Sequence, residues 1–237
     1  MSNNVQEKPF NIDEYVYAKQ FTCPVCQASF ASILARDSKL RFMSVEYDLR
    51  PVFTPIEPMF YDLVLCETCG WCAPKESFAA PLKERQQDAV GDKITANFKK
   101  VPYPKEPSVD EAIGRYKHAL LCAEAKNGPI GERAYLYMKL TWLYRVKGGE
   151  LENEKAAAKA ALESFTKSIS EDDFPVAGLE EHTVFYLISA FSTFLGDYKN
   201  ALASLSRIIT NDKASKRLKD RARDLKDMIK EKQEAGE

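Results

Sequence analysis

Two Cys-x-x-Cys knuckles, Cys23-Pro24-Val25-Cys26 and Cys66-Glu67-Thr68-Cys69, separated by 39 residues, constrain this 237-residue chain more than any other feature. Two thiolates three residues apart on a tight turn can both reach one ion at about 2.3 Å, and two such turns complete a tetrahedron. Gly70 follows the second knuckle and can adopt a positive φ, which lets the turn curl over a metal. Each knuckle begins where a strand-like stretch ends, at Tyr17–Phe21 and at Tyr61–Leu65, which is the layout of a zinc ribbon. The intervening segment is longer than usual for such sites and must hold strands of its own. Cys23, Cys26, Cys66 and Cys69 are therefore expected to bind one Zn2+ per chain.

Other uses of these thiols fit less well. A thioredoxin-like redox pair opens a helix, whereas a strand-like segment follows Cys26. Iron in a rubredoxin-like site uses the same four ligands and stays open as the alternative metal. Cys72 extends the second knuckle towards an iron–sulfur run, but Ala73 and Pro74 stand where a fourth cysteine is needed soon after. Cys72 reads as a partly buried thiol, and Cys122, beside Leu120 and Leu121, as a small buried hydrophobe. A closed four-thiolate site leaves no position for water or substrate. No Gly-rich phosphate loop, nucleophile elbow or His-Glu-x-x-His helix is present, and His118 and His182 are isolated, so the chain reads as non-catalytic.

The patterns around the knuckles predict an α+β, mostly α protein. A loose polar tail covers residues 1–15. A zinc-ribbon-like β module follows over 16–80, with strands at 29–34, 40–47 and 61–65 and a loop through Pro51, Pro55 and Pro58. A connecting helix is expected near 81–100, where Val90, Ile94 and Phe98 share a face, and a Pro-rich linker ends at Pro107.

Residues 108–237 read as six antiparallel helices, near 108–127, 130–147, 151–170, 180–195, 198–210 and 213–233. Ser108 with Glu111 forms a capping-box signature, and Gly128, Gly148 and Gly196 mark stops. Small anchors Ala112, Ala158 and Ala201 recur 46 and 43 residues apart, so a tetratricopeptide-like array would carry longer loops than the usual unit of about 34. In that register Tyr135, Met138, Trp142 and Arg145 share a stripe and Tyr186 holds the matching place on a later helix. Tyr135, Trp142, Arg145 and Tyr186 are thus expected to line a partner groove suited to a peptide with an acidic group, Arg145 being the most diagnostic.

Charge and hydropathy narrow the partners. The net charge of −1 gives no global field towards nucleic acid or an anionic membrane. Residues 1–80 hold 7 Lys/Arg against 10 Asp/Glu. The basic segment 213–226 is interleaved with Asp220, Asp224 and an apolar stripe, as on the solvated face of a capping helix. No export signal and no span-length apolar run is visible, so a cytoplasmic protein without membrane contact is expected. A non-catalytic adaptor or scaffold for a protein or peptide partner is the leading reading. A nucleic-acid-associated zinc-ribbon protein, or a thiolate-metal redox protein, is the alternative.

The residues also resemble the bacterial domain-of-unknown-function 2225 family across most of 15–230. The matching stretches are Phe21–Cys26, Glu57–Tyr61 leading into Leu65–Trp71, Thr141–Arg145, and Tyr186–Ile188 running to Leu195-Gly196. Cys72 stands where that pattern leads one to expect a small residue such as alanine. The resemblance implies an N-terminal cysteine-rich segment and a helical, tetratricopeptide-like remainder, and it implies no activity.

Overall fold

In a computed structural model, which describes residues 10–235, the first third of the chain folds into three two-stranded antiparallel hairpins. β1 (Val16–Thr22) pairs with β2 (Ser29–Ala35), β3 (Arg41–Val45) with β4 (Pro51–Thr54), and β5 (Leu63–Leu65) with β6 (Cys72–Pro74). The expected loop through Pro51 is instead the start of β4, a first strand position, where the missing N–H is tolerated. The strand expected from Tyr61 begins at Leu63, because Pro58–Tyr61 form a 3-10 turn capped by Glu57.

Seven helices follow among the described residues: α1 (Glu84–Lys93), α2 (Val109–Lys126), α3 (Ile130–Lys147), α4 (Leu151–Glu171), α5 (Glu181–Phe194), α6 (Tyr198–Ile209) and α7 (Lys216–Ala235). The connecting helix is shorter than expected, since the chain tightens into a 3-10 turn at Thr95–Asn97. Ser108 Oγ accepts from the N–H of Glu111 at 3.2 Å and the Glu111 carboxylate accepts from the N–H of Ser108 at 2.7 Å, so the capping box forms as read. Left-handed Asn127 ends α2, and Gly148 ends α3.

From α2 to α7 each helix packs on the next, and Ala112, Ala158 and Ala201 are fully buried in the array. Ala222, Leu225 and Ile229 seat α7 on α5 and α6, while Arg223 pairs with Asp220 and Lys230 with Asp227 on its outer side.

The hairpins and the helices share one core. A continuous buried cluster runs from Phe21, Leu63, Val64, Trp71 and Phe78 through Tyr116 and Leu136 to Phe191. The Pro-rich linker at 101–107 therefore does not divide two cores: Tyr61 Oη donates to the Lys105 carbonyl at 3.0 Å and Tyr103 Oη to the Phe60 carbonyl at 2.6 Å. Of the tail expected over 1–15, residues 1–9 lie outside the described residues. Ile12–Glu14 form a 3-10 turn capped by Asn11, with Ile12 buried against Val16 and Tyr61, so this part of the expected tail is packed on the core.

Candidate metal centre

Each knuckle is the turn of a hairpin. Cys23 N–H donates to the Ala28 carbonyl and Gln27 N–H to the Cys23 carbonyl; Cys66 N–H donates to the Trp71 carbonyl and Gly70 N–H to the Cys66 carbonyl. The two turns are copies of one another, each with a positive-φ residue directly after its second cysteine, Gln27 at 60° and Gly70 at 79°. Gly70 carries a second constraint, because a Cβ there would lie 2.6 Å from the Phe98 ring. Gln27 has no such signature in the sequence.

The hairpins face each other and bring the four sulfurs within 4.8 Å of one another. Cys23 Sγ lies 3.5 Å from Cys69 Sγ, and Cys26 Sγ 3.6 Å from Cys66 Sγ. Metal–sulfur bonds of about 2.3 Å put the corners of a tetrahedron about 3.8 Å apart, so the donor set fits one tetrahedral ion. A disulfide needs about 2.05 Å, and all six cysteines are free. The electrostatics point the same way. The hydrogen bond from Cys69 draws the Cys23 thiol down to about 5. That bond and burial raise Cys69, and burial raises Cys66. A cation among the sulfurs would offset the burial that opposes ionisation of Cys66 and Cys69.

Helical neighbours hold the second knuckle. The Gly70 carbonyl accepts from His118 Nε2 at 2.6 Å and from Cys122 Sγ at 3.4 Å, both on α2, and Thr95 Oγ1 donates to the Cys69 carbonyl at 2.8 Å. His118 is thus a hydrogen-bonded structural histidine, whereas His182 Nε2 is buried with no partner among the described residues. Cys72 lies outside the four-sulfur cluster. It is fully buried, and burial pushes its thiol well above the ordinary range, as it pushes Cys122 up to about 12. Cys72 is an inert core thiol rather than a ligand.

The expected partner groove is filled by the protein itself. The turn between β3 and β4, Glu46 to Arg50, inserts against α3 and α5. Arg145 pairs with Glu46 at 2.6 Å, Asp48 at 2.8 Å and Glu154 at 2.8 Å. Trp142 Nε1 donates to Asp48 at 3.0 Å, and Tyr186 Oη to the Tyr47 carbonyl at 2.7 Å. Trp142, Tyr186 and Asp48 are buried, and Tyr135 is half-buried beside Lys139. Tyr135, Trp142, Arg145 and Tyr186 are therefore structural. Arg145 does bind an acidic segment, but that segment belongs to this chain. The missed residues, Glu46 and Asp48, lie about a hundred positions away and carry no local signal.

The family described as an uncharacterized protein conserved in bacteria, domain of unknown function 2225, matches residues 16–229. No curated protein and no solved structure matches.

Proposed function

The chain belongs to the bacterial domain-of-unknown-function 2225 family, and on that premise we propose that its four thiols hold one structural zinc ion and that the protein is a non-catalytic adaptor for a protein partner. One observation carries this reading: the four sulfurs form a closed set, backed by the hydrogen-bonded knuckle backbones and by α2. Such a set supplies folding energy and leaves no coordination position for a substrate. Cys23, Cys26, Cys66 and Cys69 hold the ion; His118 and Thr95 fix the second knuckle through its carbonyls. Zinc is favoured over iron because closed four-cysteine tetrahedra are its usual structural sites, and the same tetrahedron would accept iron. The adaptor role draws support from the helical array and from solvent-facing apolar residues such as Phe42 and Met43 on β3. No helix is long and apolar enough to cross a membrane.

Cobalt(II) substitution tests the closed site. Intense tetrahedral thiolate bands, unchanged by azide or imidazole, support it; bands that shift on adding either ligand show an open position and return the protein to the candidate enzymes. Affinity capture from native cells tests the adaptor role. A protein retained at constant stoichiometry supports it, whereas nucleic acid lost steeply with salt moves the reading to a nucleic-acid-associated protein.

A further inference from the structure

Between α1, the segment 95–103 and the outer face of α2 lies a cleft of about 570 Å3. That volume falls within the range of about 300–1,000 Å3 typical of small-molecule sites. Its walls include Ile94, Phe98, Val101 and Leu121, and the last two are large apolar side chains left 68% and 55% exposed.

Arg115 lies in the same cleft with its guanidinium carbon 3.3 Å from the centroid of the Tyr103 ring. It forms no ion pair among the described residues, although burial penalises its charge and lowers its pKa. The carboxylates around it are committed elsewhere. Asp110 pairs with Lys147 at 2.7 Å, Glu111 accepts from the Ser108 backbone at 2.7 Å, and Glu67 pairs with Lys100 at 2.5 Å. Lys93 and Lys99 also line the cleft and carry no ion pair among the described residues, while His118 is engaged with the Gly70 carbonyl. The cleft thus combines apolar walls with a half-buried guanidinium that has no ion-pair partner among the described residues. A guanidinium in that setting is matched best by a planar, two-oxygen anion.

We propose that this cleft binds a small apolar monocarboxylate, with its head on Arg115 and its hydrocarbon body along Ile94, Phe98, Val101 and Leu121. The test is calorimetric titration of the full chain with octanoate and with its neutral analogue octanamide. Octanoate is expected to bind at one per chain and tighter than octanamide. Arg115→Met should weaken octanoate about tenfold, the scale of one lost charged hydrogen bond, and leave octanamide unchanged. Gly114 is exposed on this wall and an added Cβ meets nothing within 4 Å, so Gly114→Trp should fold normally and block both ligands. Absence of octanoate binding to the unaltered protein, equal binding of octanoate and octanamide, or undiminished octanoate binding to Gly114→Trp would overturn the proposal.

Discussion

Trp142 Nε1 donates a 3.0 Å hydrogen bond to the carboxylate of Asp48, 94 residues earlier in the chain, and both side chains are buried. The same oxygen receives Arg145 at 2.8 Å. This contact plugs the acidic β3–β4 turn into the helical array. With α2 and α4 packed on its other sides, the turn covers a further part of α3, most of whose residues are buried.

Removing Arg145 should therefore cost stability. Breaking a buried pair leaves an uncompensated charge, at about 3–5 kcal/mol, and the partial exposure of Arg145 puts Arg145→Ala near the lower end. Asp48→Asn keeps an acceptor for Trp142 and should cost less. Urea denaturation of both variants measures this. A loss below about 1 kcal/mol for Arg145→Ala would show that the turn is not held by this network.

Gly70→Ala combines a strained φ of 79° with a clash against Phe98, whereas Gly196, at φ 81°, has open space around it. Gly70→Ala should lose more stability than Gly196→Ala, which carries only the strain of about 1 kcal/mol. Thermal unfolding of the pair gives the comparison. Equal losses would mean that Phe98 does not press on the knuckle.

What could be read from the sequence was local. The two knuckles, the Ser108–Glu111 capping box and the glycine stops after α3 and α5 each place their physical cause within a few residues of their effect. The sequence suggests an open groove because the partners of Arg145 are remote: Glu46 is 99 residues away. An aromatic and arginine stripe looks the same whether the covering segment comes from another protein or from the same chain. Pro51 hid β4 for a related reason, since proline usually marks a loop and only pairing with Val45 reveals a strand.

A fragment beginning near residue 105 should not retain native stability. It would expose the faces of α2 and α3 that pack on Leu63, Trp71, Phe78 and the Glu46–Arg50 turn. Hydrogen exchange on α3 should be much faster in the fragment than in the full chain. Equal protection would show that the helices fold independently of the hairpins.

High pH should unfold the protein cooperatively. Burial raises the phenols of Tyr61 and Tyr186 from 10.0 to about 12, and raises Tyr47, Tyr103 and Tyr116 as well. The unfolded chain loses these protons near pH 10 while the folded chain keeps them. Stability is thus full below about pH 10 and falls as pH rises towards 12 and beyond. Helical circular dichroism and tyrosinate absorbance should change together for these buried groups. Full ionisation of every tyrosine with the helices intact would contradict this.

Elemental analysis of protein purified without chelators, paired with X-ray absorption at the metal edge, tests the central claim most directly. The account predicts one zinc per chain with four sulfur neighbours at about 2.3 Å, lost in Cys26→Ser together with protection of the β1–β2 and β5–β6 hairpins. No stoichiometric metal, or a first shell containing nitrogen or oxygen in the unaltered protein, would contradict it.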